Sequence, residues 1–437
     1  MSTQRKNSKA AGYILPFILI TCCFALWGFA NDVTNPMVKA FSKIFRMSVT
    51  DGTLVQVAFY GGYFAMAFPA AMFIRKHSYK AGVLMGLGLY AAGALLFLPS
   101  KMTGQFYPFL IAYFIMTCGL SFLETSCNPY ILSMGSEETA TRRLNFAQSF
   151  NPIGSLVGMY VAMNFIQNRL NPLDTAGRAT LSQNEFEAMK EADLSVLISP
   201  YLAIGIVIIV MFILVAITKM PRSADSSHEI DFMPTLKRLI GIKRYREGVI
   251  AQFFYVGAQI MCWTFIIQYG TRLFTSQGMS EQAAEVLSQK YNMAAMVFFC
   301  ASRFICTYFL KYINPGKLLK ILASVACVLI LGVIFIQGKA GLYCLVGVSA
   351  CMSLMFPTIY GIALEGLGDD AKMGSAGLIM AILGGSVLPP FQAMIIDSGT
   401  LFGMPAVNLS YIVPLICFIV VAVFGHRRMK ERITQNA

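Results

Sequence analysis

Long apolar runs recur from one end of this 437-residue chain to the other, and they constrain its fold more than any other feature. A helix needs about 20 predominantly apolar residues to cross a bilayer, because lipid offers backbone groups no partner and the helix satisfies them internally. Only 13% of the residues are charged, against about 25% in ordinary soluble domains, so a water-exposed surface cannot be built. The runs place spans near Tyr13 to Phe41, Thr53 to Ile74, Ala81 to Pro99, Phe106 to Ser133, Leu144 to Ile166 and Ile198 to Ile217. Six follow, near Val249 to Tyr269, Ser288 to Leu310, Leu318 to Ile336, Gly341 to Leu364, Gly374 to Ile396 and Ala406 to Phe424. Twelve spans put both termini on one side.

Lys and Arg orient the array, since short cytoplasmic loops carry the basic excess. With the termini inside, the tails and inner loops hold more than twice as many basic residues as the outer loops once the Lys residues at span ends are counted with the adjoining loops, and Arg303 alone falls deep within a span. Both termini are therefore expected in the cytoplasm. The same distribution accounts for the net charge of +13 and speaks for membrane topology rather than nucleic-acid binding. All 11 Cys fall in these spans, which points away from an extracellular disulfide framework. Arg5, Lys6 and Lys9 ahead of the first run imitate a secretory signal. Cleavage after Ala30 would discard the polar residues of span 1, so the segment reads as a retained span.

The polar connection 218–248 is the longest inner one and separates a six-span half, 1–217, from a second, 249–437. The two Trp, Trp27 and Trp263, lie at matching places in spans 1 and 7, and Ser121-Phe122-Leu123 echoes Ser353-Leu354-Met355. These echoes suggest an internal repeat, as in the major-facilitator arrangement with substrate held at mid-membrane between the halves. In the outer connection 167–197, Ser182-Gln183-Asn184-Glu185 reads as a capping box opening a short amphipathic helix, an ordered cover without chemistry.

An ionised side chain at the bilayer centre costs about 2.5–3.5 kcal/mol on insertion scales, so each one needs a reason. Glu124 lies deep in span 4. Asp32, beside Asn31 and Asn35 in Ala30-Asn31-Asp32-Val33-Thr34-Asn35-Pro36, reads as a cavity acid or as an outer-end residue already in water. Arg303 in span 8 either faces a cavity or pairs structurally, and Asn292 adds a polar group to the same span. Gln148 and Asn151 share one face of span 5; Gln252, Tyr255 and Gln259 form one stripe on span 7. Amides can glue helices together, but stripes in both halves fit a wet central cavity better.

Carboxylates, amides and aromatic rings suit a neutral sugar: the first two bind hydroxyls, and ring faces cover the C–H surface. An anionic substrate would call for several intramembrane cations. The nearest approach to a phosphate loop, Gly332 to Gly338-Lys339-Ala340, has the wrong spacing and no Ser or Thr after the Lys. A carboxyl group in a partly dry cavity makes a reversible proton carrier, so protons are preferred over sodium as the driving ion.

At these residues the sequence resembles the fucose permeases, the fucose:proton symporter branch of the major facilitator superfamily. The likeness runs through Phe24-Ala25-Leu26-Trp27, Leu123-Glu124-Thr125, Ala147-Gln148, Tyr255-Val256-Gly257-Ala258-Gln259, Arg303-Phe304 and Pro357-Thr358-Ile359. The resemblance implies symport of L-fucose with a proton, Glu124 as a titrating acid, and Gln148 and Asn151 as sugar contacts. It also reveals departures. The family's span 1 carboxylate falls at Asn35, while Asp32 stands where the family has Asn, and a span 10 Tyr is Phe356 here. Glucose or galactose therefore stays open as the sugar.

The reading is thus an all-α membrane protein of twelve transmembrane helices. It is expected to be a proton-coupled sugar importer working by alternating access in the inner membrane as a monomer, without cofactor, metal or nucleic acid. Glu124 and Asp32 carry the proton; Gln148, Asn151, Asn35, Asn31, Tyr255, Gln252, Gln259, Asn292, Arg303 and Phe356 hold the sugar. A sodium-coupled carrier, an exporter and a sugar-binding receptor or channel are the rivals. An enzyme is disfavoured, since no nucleophile–base pair or metal cluster is visible and the three His lie in loops.

Overall fold

The computed structural model describes residues 2–34, 37–47, 54–173, 175–220, 232–401 and 403–435. Among the described residues, eleven helices are long and apolar enough to cross a membrane: Ile14–Thr34, Val57–Lys76, Tyr79–Thr103, Tyr107–Ser133, Gln183–Ile217, Lys243–Ser276, Val286–Phe309, Pro315–Phe335, Lys339–Leu364, Gly368–Ile396 and Ala406–Met429. The remaining span, the fifth of twelve, is in two pieces, Ala140–Gln148 and Asn151–Val161. Pro152 accounts for the break: it has no N–H to give the Gln148 carbonyl, and its ring crowds that oxygen. Span 10 breaks in the same way between Lys339–Met352 and Met355–Leu364, four residues before Pro357. Span 11 is the most interrupted, with Ala371–Met380, Gly384–Val387 and Pro389–Asp397 in succession.

Two sequence expectations about helix ends need correction. The capping box is present, with the Ser182 hydroxyl accepting from the Glu185 N–H and the Glu185 carboxylate from the Ser182 N–H. The helix it opens is not a separate short one, however, but runs on through span 6 to Ile217. Glu185 to Ala192 are good helix formers, and nothing between them and Leu197 breaks the backbone ladder, so a change in hydropathy is not a change in conformation. Likewise Phe232–Gly241 is helical, and span 7 starts at Lys243 rather than near Val249.

The chain forms two compact units, Met1–Met134 with Phe150–Ile230, and Gly135–Ser149 with Asp231–Ala437. In the first unit, span 1 lies directly on the second piece of span 5. A Cβ at Gly154 would stand 1.8 Å from the Ala25 carbonyl oxygen, and one at Gly158 2.6 Å from that of Phe29. Small residues permit this backbone approach, which replaces the hydrophobic drive that lipid removes. The connection after span 5 is closed by a buried ion pair, Arg178 to Asp193 at 2.5 Å. Arg178 also donates to the Leu173 and Asn171 carbonyls, and Lys43 reaches the latter at 2.6 Å.

The second unit packs around Tyr255, Met261, Phe265, Leu342, Ile359, Tyr411 and Phe418. Trp263 donates to the Ser349 hydroxyl at 3.2 Å and meets Phe299 edge-on at 5.0 Å.

Candidate functional site

In the first unit the chemistry centres on Glu124, which is 5% exposed in the middle of Tyr107–Ser133. The Tyr63 hydroxyl donates to its Oε1 at 3.0 Å, and Ser121 donates to the Tyr63 carbonyl, so span 2 and span 4 hold the carboxyl between them. Among the described residues Glu124 makes no ion pair. A buried acid with one hydroxyl donor and no cation can exist protonated or ionised without either state tearing a salt bridge apart. Tyr63 was not singled out from the sequence. Its signal was a Tyr pair, Tyr60 and Tyr63, three apart on a lipid-length helix, where each hydroxyl needs a partner.

Asp32 occupies the last turn of the first helix and is half-buried, with Tyr60 in electrostatic range. Asn31 beside it keeps a buried Oδ1 without a hydrogen-bond partner among the described residues. Asn35 lies outside the described residues. Asn151 gives its amide to the Phe24 carbonyl at 3.1 Å, so one of its donors glues span 5 to span 1.

The second unit gathers the amides and rings. Gln252 is fully buried, and both its amide oxygen and nitrogen lack partners among the described residues. One turn on, Tyr255 donates to the Met352 carbonyl at 3.0 Å, at the break of span 10, and its ring meets that of Phe356 at 6.4 Å. Gln259 is half-buried on the same helix, so the predicted stripe is buried unevenly. Asn292 has a buried Oδ1 without a partner among the described residues. Arg303 is 3% exposed, donates to the Ser353 and Gln148 carbonyls, and lies 4.6 Å over the Phe299 ring. Gln148 itself is buried.

An unpaired buried amide costs about 1–3 kcal/mol, and Gln252 carries that cost twice over. Such groups are what a ligand with several hydroxyls can satisfy. Bilayer-length helices, with a buried acid that makes no ion pair and amides that lack partners among the described residues, together define a multi-pass membrane transporter of small polar solutes.

Comparison with known proteins places it further. The Major Facilitator Superfamily profile matches residues 20–390. The L-fucose-proton symporter of Haemophilus influenzae is 51% identical over 425 residues, covering 96% of this chain and 97% of that protein. The Escherichia coli protein of the same name is 33% identical over 431 residues, 98% and 96% of the two chains. The crystal structure of the superfamily transporter FucP in its outward conformation superposes with a TM-score of 0.86 at 32% identity, over 95% of this chain and 99% of that one. The chain belongs to the major facilitator superfamily and, within it, to the fucose:proton symporter family. It is a transporter, not an enzyme.

Proposed function

We propose that this protein imports L-fucose together with a proton across the inner membrane, by alternating access, as a monomer with both termini in the cytoplasm. The observation that carries the coupling is Glu124, a buried carboxyl held by Tyr63 and free of any ion pair among the described residues. A proton entering from outside neutralises it, which removes the cost of carrying a charge through the membrane interior. Release to the inside restores the carboxylate. Asp32 acts with it from span 1. The names of the relatives favour L-fucose as the sugar.

Gln252, Asn292 and Asn31 supply unspent hydrogen-bonding atoms for sugar hydroxyls. Tyr255 and Phe356 offer ring faces for its C–H surface, with Gln148, Asn151, Gln259 and Asn35 completing the proposed contacts. Phe356 cannot donate where relatives carry a hydroxyl, so the sugar preference needs direct measurement. In proteoliposomes, L-fucose is expected to drive alkalinisation of the outer medium, and D-galactose and D-glucose much less. Uptake that follows a sodium gradient, with no sugar-driven proton movement, would overturn the coupling; a larger response to glucose or galactose would overturn the sugar.

A further inference from the structure

Arg303 is the one basic residue deep inside a predicted span, Lys39, Lys290 and Lys320 each lying two residues from a span end, yet it forms no ion pair among the described residues. Its two hydrogen bonds instead go to main-chain oxygens: Nη1 to Gln148 at 2.9 Å and Nε to Ser353 at 2.5 Å. The identity of those oxygens matters. In a regular helix the carbonyl of residue i accepts from the N–H of residue i+4. For Gln148 that residue is Pro152, and for Ser353 it is Pro357, neither of which has an N–H. Both acceptors are therefore carbonyls whose i+4 helical donor is removed by proline, one at the break of span 5 and one at the break of span 10. In a membrane such groups need a donor from within the protein or its ordered water, since lipid supplies none, and here a neighbouring side chain provides it.

We infer that Arg303 is a positioning residue, pinning the proline breaks of spans 5 and 10 through the two carbonyls whose i+4 helical donors those prolines remove. A planar guanidinium suits this task, because its N–H groups point in fixed, divergent directions and it stays charged when buried. Lys would offer a single mobile centre. Neighbouring contacts tighten the same place: Tyr255 donates to the Met352 carbonyl, Ser302 to the Ala350 carbonyl, and the Ser353 hydroxyl to the Ser302 hydroxyl at 3.2 Å. The pinned breaks set the backbone that carries Gln148 on one side and Phe356 on the other. The inference deepens the sugar-binding reading above and rests on it for its transport consequence. Arg303 then acts on the sugar through the backbone.

The test is a mutant cycle of Arg303→Ala against the double change Pro152→Ala and Pro357→Ala, in the full-length protein. Thermal unfolding in detergent needs no substrate. Arg303→Ala should lower the midpoint clearly in the native background and far less where alanine N–H groups can take over the two carbonyls. Equal losses in both backgrounds would overturn the inference. In transport, Arg303→Ala should raise the half-saturation concentration for L-fucose about tenfold, the worth of one charge-assisted hydrogen bond. The pH profile of sugar-driven proton uptake should stay in place, and Arg303→Lys should recover part of the loss. A shifted pH profile with unchanged half-saturation would also count against it. A wild type that moves no L-fucose would count against the sugar assignment alone, because the unfolding cycle stands without it.

Discussion

The Tyr63 hydroxyl donates to Glu124 Oε1 at 3.0 Å across the span 2 and span 4 contact, and this single bond ties a buried acid that makes no ion pair among the described residues to a neighbouring helix. Glu124→Gln keeps shape and hydrogen bonding but cannot cycle a proton. Accumulation of L-fucose under an imposed pH gradient is expected to vanish, while exchange of sugar across the membrane at equal concentrations persists. Tyr63→Phe removes the donor and leaves the acid, so it should slow proton-driven uptake several-fold without abolishing it. Wild-type accumulation in Glu124→Gln would remove this residue from the coupling.

Gln252 holds two buried amide atoms without partners among the described residues, an arrangement that costs stability and serves only when something else supplies partners. Gln252→Leu, similar in volume and apolar, should raise unfolding free energy by about 1–3 kcal/mol. It should also weaken sugar binding by about tenfold. Thermal unfolding and sugar-dependent stabilisation, measured on the same preparations, read both effects. A variant neither more stable nor weaker in binding would mean that Gln252 has no role in the site.

The Arg178–Asp193 pair is buried on both sides in the connection that also takes hydrogen bonds from Lys43. Removing one partner leaves the other charged and uncompensated, so Arg178→Ala should destabilise the protein by about 3–5 kcal/mol. The apolar double change Arg178→Met with Asp193→Leu should recover most of that. Limited proteolysis of this connection, run beside thermal unfolding, separates local opening from global loss. If the double variant is as unstable as the single one, the pair's geometry and not its charge balance is what the fold needs.

Much of this was legible from hydropathy alone. The positions of twelve spans follow from length and apolarity, although the break of span 5 at Pro152 was not read from the sequence. What hydropathy could not show is where a helix continues through polar sequence, as Gln183–Ile217 does, because backbone bonding is indifferent to side-chain polarity once propensity suffices. Glu124 was conspicuous as a charge where lipid forbids one. Its partner Tyr63 was not, since 61 residues separate them and no local pattern encodes a contact between spans. Arg303 shows the same limit more sharply. The arginine and both prolines were visible, but their relation spans 155 and 50 residues and depends on main-chain oxygens, which carry no sequence signal at all.

Span 1 provides the most demanding test. The resemblance to the fucose permeases puts an acid at position 35, where this chain has Asn35, and an Asn at position 32, where it has Asp32. Positions three apart on a helix differ by about 60° around the axis and about 4.5 Å along it. If coupling needs a carboxylate in this region rather than at one backbone position, Asp32→Asn should lose pH-dependent transport. Adding Asn35→Asp should restore part of it, and the recovery should be incomplete because the shifted acid meets different partners; Tyr60 is in electrostatic range of Asp32. Sugar-dependent proton uptake, compared across the single and double variants in proteoliposomes, decides the matter. Full coupling in Asp32→Asn would make Asp32 a bystander at the end of its helix and leave the proton to Glu124 alone.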